Sequence, residues 1–270
     1  MHNDYLNFRA GHLLVPMGLV NLYHEPIFFN SVYRPEIEKN IIPSTWHENG
    51  IELYGKLWEG LNYRLGVVNS LNLSNFDNKG DAKTYSNKSW IRGGRQKASR
   101  AIAEDLSYFV RLDYKFGDGN EVGAAYYTGD SRQDNTSLKS ARVDLFNVHA
   151  NYKFRNFKLM GLYTAGNLSD TAFLNGDLGK KVEGYYLDLS YSLKGWELPL
   201  SLFVRHSEYN LHKEVVAPVV KDLSLDKQIT TLGINYKPHH QVVLKADYQI
   251  RENGLGNEAN NLNLGVGFVF

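Results

Sequence analysis

Apolar and polar residues alternate along most of this chain with the period of two that a β-strand produces. The clearest case is the last stretch, 260–270, where Leu262, Leu264, Val266, Phe268 and Phe270 share one face and Asn and Gly residues occupy the other. The same pattern recurs in 108–116, 146–154, 185–194 and 242–251. An apolar face opposite a polar face is typical of a strand with lipid on one side and a wet lumen on the other.

The alternation predicts about twelve strands, most of them about 9–15 residues long. A tilted strand needs roughly 9–11 residues to cross a bilayer. The strands are expected near 4–17, 50–59, 62–72, 104–117, 120–131, 141–155, 157–168, 180–194, 196–209, 226–238, 241–253 and 259–270.

The connections between these strands alternate between short and long. The short ones are rich in Gly, Asn, Asp and Pro, which supply turn dihedrals. The long ones are 18–49, 73–103, 132–140, 169–179, 210–225 and 254–258. Short turns on one side and long loops on the other indicate periplasmic turns and extracellular loops.

Charged residues occupy the middle of the polar faces. In a soluble β-sandwich they would lie in a dry core, where each unpaired charge costs several kcal/mol. A water-filled lumen solvates them instead. The sequence therefore predicts an all-β fold: a single-domain antiparallel transmembrane β-barrel over 1–270, in the bacterial outer membrane, with outer-membrane lipid and lipopolysaccharide as its surroundings.

The composition fits this fold and excludes several other classes. The chain has 270 residues with 18 Tyr and 13 Phe, which suit strands and membrane interfaces. It has no cysteine, so there is no disulfide framework or thiolate metal site, and no metal or cofactor is expected. A net charge of +1 argues against a nucleic-acid partner. No secretory signal is visible, so we expect a trimmed chain or an N-terminus that lies upstream.

The charge on the inward face sets the expected selectivity. Mid-strand cations on this face are Arg9, Arg111, Lys115, Lys153, Lys194, Arg205, Lys245 and Arg251, and the acids are Asp113, Asp188, Asp247 and Glu52. One interpretation is that acids and bases pair and leave a nearly neutral lumen. The other is that the surplus of cations favours anions.

Two long loops bear on this choice. Between Ala82 and Ala103 the chain carries no acid but has the cations Lys83, Lys88, Arg92, Arg95, Lys97 and Arg100. Folded inward, this loop makes a basic constriction; outside, it faces solvent or lipopolysaccharide. The loop 18–49 is rich in Pro and aromatic residues, so we expect it to pack inside the barrel as a constriction loop that contains His24, Glu25 and Arg34.

Residues 9–18, followed by His24-Glu25-Pro26, Arg34 and 42–46, resemble the phosphate-selective porin O and P family. The resemblance covers 5–58. It implies homotrimeric, 16-stranded channels with a basic constriction. About four N-terminal strands are then expected to be missing from this chain, and a ladder of regularly spaced inward arginines is not evident.

We therefore expect a porin for passive diffusion of small hydrophilic solutes, with a preference for anions such as phosphate, and not an enzyme. One alternative is a structural or adhesive barrel plugged by residues 19–49. Another is a barrel lipid hydrolase, which needs a Ser two positions from a His on a lipid-facing strand. His206 lies beside Ser207, so the two face opposite sides.

Overall fold

The computed structural model describes residues 4–73, 87–98, 101–133, 140–169, 171, 178–196 and 198–269. Arg100 and Phe270, which the sequence analysis singled out, lie outside these described residues. None of the helices found in the described ranges is long and apolar enough to span a bilayer.

The described residues form one antiparallel sheet of thirteen strands. The strands are β1 (Asn7–Leu14), β2 (His47–Trp58), β3 (Leu61–Asn69), β4 (Leu106–Phe116), β5 (Asn120–Gly129), β6 (Val143–Phe154), β7 (Phe157–Leu168), β8 (Lys181–Ser192), β9 (Leu200–Glu214), β10 (Asp226–His239), β11 (Val242–Asn253), β12 (Gly256–Asn257) and β13 (Asn261–Phe268). Each of the twelve predicted strands corresponds to one of these, and β12 adds a short pairing at the end of β11.

The sheet is a meander in which each strand pairs with the next along the chain. The order runs from β1 to β11, and β13 then pairs with β11 beyond the short β12. Among the described residues the sheet ends at β1 and β13, and these two strands do not pair with each other. The prediction of an antiparallel transmembrane barrel fold is confirmed.

The two faces of the sheet differ as the alternation requires. On β4, the outward Tyr108 is 56% exposed, whereas the inward Arg111 is 1% exposed. Large exposed apolar side chains cover the outer face of most strands, which is the surface that hydrocarbon chains solvate. Aromatic residues gather on this face near the short turns; they are Trp58, Tyr114, Phe116, Tyr152, Phe154 and Phe157.

The lumen contains packed chain. Residues 15–46, here called the inner loop, leave the end of β1 and return to β2 through the interior. They include one helical turn, α1 (Ile37–Asn40), and several of their apolar side chains, such as Val15, Met17 and Trp46, are fully buried. The segment 87–98, which includes a 3₁₀ stretch (Asn87–Gly94), also lies inside and buries Trp90 completely. Two further 3₁₀ turns, Leu193–Trp196 and Leu223–Leu225, lie between strands.

Candidate functional site

Arg111 on β4 fastens the start of the inner loop to the barrel wall. Its Nη1 donates to the backbone oxygens of Pro16 at 3.2 Å and Gly18 at 2.6 Å. Its Nε donates to Asp113 Oδ2 at 2.7 Å, which is the pairing expected from the sequence. Since the guanidinium is fully covered, Arg111 holds the loop and does not line open space.

Arg205 and Lys245 do the same for the middle of the inner loop. Arg205 Nη1 donates to Ser31 Oγ at 2.5 Å, and Lys245 Nζ donates to the backbone oxygens of Phe29 at 2.5 Å and Ser31 at 3.0 Å. Both cations are buried. Three of the cations predicted to line the pore are therefore covered by the inner loop, because their donors satisfy its backbone and hydroxyl acceptors.

Wall carboxylates bind the same part of the inner loop. Asp247 Oδ2 accepts from the backbone nitrogen of Val32 at 2.6 Å, and Asp188 Oδ1 accepts from Asn30 Nδ2 at 2.6 Å. Inward-facing acids and bases on β8, β9 and β11 thus both bind residues of the inner loop. This docking fixes the path of the loop through the lumen.

Glu38 is the fully buried acid of the inner loop itself. Its Oε2 accepts from the backbone nitrogens of Leu19 at 2.8 Å and Val20 at 2.6 Å, and its Oε1 accepts from the Tyr186 hydroxyl at 2.6 Å. Burial raises the pKa of Glu38, although these three donors act in the opposite direction. Gly18 lies beside it with φ +74°, and a Cβ there would lie 2.5 Å from Glu38 Oε2.

Three arginines lie on two segments that contact each other inside the barrel through α1 and the 3₁₀ stretch: Arg34 of the inner loop, and Arg92 and Arg95 of the segment 87–98. Burial lowers the pKa of Arg34, and the nearby Arg92 charge lowers it further while Glu38 raises it. Burial lowers the pKa of Arg95, and Arg92 again adds to the effect. All three side chains are partly exposed, so their charge reaches the lumen.

The hydrogen bonds of these arginines set their positions. Arg95 Nη1 donates to the backbone oxygen of Ser44 at 2.6 Å, and Arg34 Nη2 donates to that of His24 at 3.3 Å. These hydrogen-bond partners are neutral carbonyls, whereas the carboxyl groups of Glu38 and Glu48 act on Arg34 and Arg95 through their charge alone. His24 and Glu25 both lie in the inner loop and are partly exposed, and their role in a constriction stays a prediction.

The remaining predicted lining residues have distinct surroundings. Arg9 pairs with Glu52 at 3.5 Å, half-exposed near the edge of the sheet. Lys115 pairs with Glu121 at 3.7 Å. Lys153 is exposed and borders a cavity of about 280 Å³ at the short-turn end of the lumen.

Two inward-facing lysines that the sequence pattern did not single out also bind the inner loop, and Lys158 is the one that lines this cavity. Lys158 Nζ donates to the backbone oxygen of Phe28 at 3.4 Å, and Lys237 Nζ donates to that of Ile27 at 3.1 Å. Both fall on the inward face of their strands, so a stricter reading of the alternation in 157–168 and 226–238 would have found them.

One cluster inside the barrel has the residue types of a metal site. Carboxylate and imidazole atoms of Asp113, Glu121 and His149 lie within 4.8 Å of one another. The Arg111 guanidinium lies among them, with Nε 2.7 Å from Asp113 and Nη2 3.5 Å from Glu121. Arg111, together with Lys115 at 3.7 Å from Glu121, balances the two carboxylates, so the cluster is an internal ion-pair network.

The outer face carries the arrangement closest to a hydrolase. His206 contacts Thr230 Oγ1 at 3.0 Å and Glu208 Oε1 at 3.1 Å, whereas Ser207 is buried on the inner face. The backbone amides of β9 and β10 in this region belong to strand ladders, so they are not free to stabilise an oxyanion. The geometry does not favour acyl chemistry there.

Comparison with known proteins gives consistent findings. A model of the Gram-negative porin family matches residues 45–266. An uncharacterised protein of Aquifex aeolicus is 30% identical over 271 aligned residues, which cover 94% of this chain and 60% of that protein. This chain therefore spans less than two thirds of the length of that relative.

Solved structures of similar fold include three outer-membrane proteins. An anion-selective porin from Comamonas acidovorans has a TM-score of 0.55 and 15% identity, with 98% of this chain and 70% of that chain covered. OmpF of Salmonella typhi in complex with daunomycin has a TM-score of 0.60 and 16% identity, with 97% and 73% covered. A loop-deletion mutant of OmpT from Vibrio cholerae has a TM-score of 0.61 and 10% identity, with 98% and 76% covered. At these identities the likeness shows the fold.

Proposed function

Because this chain belongs to the Gram-negative porin family and to the bacterial outer membrane, we propose that it forms a channel for small hydrophilic solutes that prefers anions. The inner loop and the segment 87–98 narrow the lumen and form its constriction. Arg34, Arg92 and Arg95 supply the positive potential there.

The convergence of these three arginines is the observation that carries the proposal. They lie on two loops that are far apart in sequence. The positive charge of Arg92 nevertheless lowers the pKa of both Arg34 and Arg95. Keeping like charges together costs free energy, which an anion passing between them offsets. In contrast, the cations buried in the wall are matched by carboxylates or by loop carbonyls.

Phosphate is a finer proposal within the anion class. A guanidinium binds phosphate oxygens through two parallel hydrogen bonds, so an arginine cluster suits phosphate better than a lysine cluster would. The resemblance of residues 5–58 to the phosphate-selective porins supports the same solute. Phosphate and chloride currents through one channel separate this proposal from general anion preference.

The test is the zero-current potential of the reconstituted protein in a planar bilayer with a KCl gradient. We expect a chloride-directed potential that shrinks in the triple variant Arg34→Gln, Arg92→Gln and Arg95→Gln. Arg142→Gln is the matched control, because Arg142 lies on the outer face and is 55% exposed. A potassium-directed wild-type potential, or a triple variant that behaves like the control, contradicts the proposal.

A plugged barrel is the second candidate, and the docking of the inner loop favours it. Val15, Met17, Ile37 and Trp46 of the inner loop are fully buried, and several wall residues bind the loop directly. This candidate predicts that the reconstituted protein conducts no ions, whereas a porin gives stable current steps.

We also propose lipopolysaccharide contacts and a homotrimer. Basic residues on the outer face at the long-loop end suit the phosphates of lipopolysaccharide; they are Arg142, Lys180, Lys181 and Lys213. The trimer is implied by the resemblance to the phosphate-selective porins. Native mass spectrometry of the purified protein would show three copies with bound lipopolysaccharide, and a monomer free of lipid would contradict both.

A further inference from the structure

A cavity at the short-turn end of the lumen has a composition different from that of the constriction. It has a volume of about 280 Å³ and lies between residues 19–29 of the inner loop and the strands β4–β7. Lys115, Lys153 and Lys158 border it on the wall side. Leu19, Val20 and Phe28 border it on the loop side.

The positive charge on this cavity is not balanced locally. Glu121 is the one acid among its lining residues, and it is already bound by Arg111 at 3.5 Å and Lys115 at 3.7 Å. For Lys153 and Lys158, no carboxylate of the described residues lies within 4.0 Å. Neither lysine therefore forms an ion pair within the described part of the chain, and Asp188 is the acid whose charge acts on Lys158 from beyond that distance.

The opposite wall of the cavity is apolar. Phe28 is 46% exposed and Tyr23 is 42% exposed, although both lie within the barrel. Met160 and Phe29 extend the same surface on the buried side. A small inorganic anion leaves this surface in contact with water, whereas a solute with an apolar body covers it and gains the free energy of burial.

A third feature is an unused hydrogen-bond acceptor. Asn151 lines the cavity, and its Oδ1 is buried with no hydrogen-bond partner among the described residues. Its Nδ2 faces the backbone oxygen of Gly119 at 3.5 Å. A buried acceptor without a partner is costly, so a ligand with a hydroxyl or amine donor would satisfy it.

We propose that this cavity binds organic carboxylates with an apolar or aromatic body, the carboxylate at Lys153 and Lys158 and the body against Phe28. A donor group on the far side of the ligand reaches Asn151. The inference rests on the proposed channel and deepens it, because it names a solute class and a binding site separate from the arginine constriction.

Calorimetric titration of the purified protein in detergent tests the site with three probes. The probe 4-hydroxybenzoate has a carboxylate, a ring and a hydroxyl donor; 4-hydroxybenzyl alcohol lacks the charge, and inorganic phosphate lacks the ring. We expect 4-hydroxybenzoate to bind most tightly. Equal binding of the neutral alcohol, or tighter binding of phosphate, would overturn the proposal.

Variants then locate the binding. The double variant Lys153→Gln and Lys158→Gln should weaken 4-hydroxybenzoate binding by about tenfold or more, the usual effect of losing a charge-assisted hydrogen bond. Asn151→Ala should reduce the advantage of 4-hydroxybenzoate over benzoate. Lys56→Gln is the control, because Lys56 faces another part of the lumen and pairs with Asp4 at 3.4 Å. Wild-type affinity in the double variant would overturn the assignment.

The zero-current potential separates this inference from the proposed function. A chloride-directed potential with no binding of 4-hydroxybenzoate overturns the cavity assignment and leaves the anion channel standing. Binding that depends on Lys153 and Lys158 in a potassium-directed channel supports the site and overturns the anion preference.

Discussion

Replacing Glu38 tests whether the inner loop is held in place by its own buried acid. The carboxylate accepts hydrogen bonds from Leu19, Val20 and Tyr186, at 2.8, 2.6 and 2.6 Å. Glu38→Ala leaves all three donors without a partner in a region closed to water. Glu38→Gln keeps the volume and a carbonyl oxygen for the two amides, and the Tyr186 hydroxyl is free to rotate and accept from the new amide.

The expected magnitude follows from those three donors. Each buried donor without a partner costs roughly 1–3 kcal/mol, so Glu38→Ala should weaken docking of the loop by at least about 3 kcal/mol. Since roughly 1.4 kcal/mol is a factor of ten, the exchange protection of the Leu19 and Val20 amides should fall by about 100-fold. Glu38→Gln should cost less than Glu38→Ala, because the side-chain volume and an acceptor for the two backbone amides are kept.

Hydrogen exchange of the reconstituted protein, followed by mass spectrometry of inner-loop peptides, measures this protection. The strands serve as the internal reference, because their ladders do not depend on Glu38. If the Glu38→Ala protein keeps wild-type protection over residues 18–21, the carboxylate does not hold the loop and the reasoning is refuted.

The pH dependence of the same measurement has a definite sign. Burial raises the pKa of Glu38 above its ordinary value of 4.5, so the protonated form is favoured in the docked loop. Docking should therefore be strongest below pH 4.5 and should weaken as the pH rises from 4.5 to the raised pKa. Glu38→Gln should lack this dependence, and an equal slope in both proteins would assign it to another group.

Two further substitutions test the docking of the loop, both read as urea midpoints for folding in lipid vesicles. Arg111→Met should cost about 3–5 kcal/mol because it leaves the buried Asp113 without its cation and Glu121 with Lys115 alone, whereas Arg142→Met on the exposed outer face should cost less than about 1 kcal/mol; equal midpoints would contradict this. Gly18→Ala should lower the urea midpoint more than Gly11→Ala does. Both glycines have positive φ, but only a Cβ at position 18 meets Glu38, at 2.5 Å. The reverse order of midpoints would contradict the packing described for Glu38.

The strands were predictable because one physical rule acts at every position in them. Lipid on one side and packed or wet interior on the other force alternation, as in β8, where Leu187 and Leu189 are exposed and Asp188 is buried. Strand ends were less predictable. β1 ends at Leu14, short of the predicted 17, because the chain turns inward at Val15, whose nitrogen bonds to the oxygen of Trp46 at 2.9 Å.

The sequence predicts which charged side chains face inward, but it does not predict which partners they bind. Alternation places Arg111, Arg205 and Lys245 on the inner face, but it does not say whether water or chain lies opposite them. In the inner loop, Arg111 and Lys245 bind backbone oxygens and Arg205 binds the Ser31 hydroxyl, and no sequence pattern identifies these acceptors. The proximity of Arg34 and Arg92 likewise depends on how two loops that are distant in sequence pack together.

The inward cations divide into two groups with different consequences for mutation. Arg111 is buried and hydrogen-bonded to the inner loop, so its charge stabilises the docked loop. Replacing it should therefore unfold the constriction. Arg92 and Arg34 are partly exposed and near one another, so their charge acts on the lumen and their mutual repulsion costs stability. Neutralising Arg92 should thus change selectivity while leaving the fold as stable or more so. For the proposed channel, this division predicts that substitutions in the loops change solute preference while the strands that hold the loops stay stable.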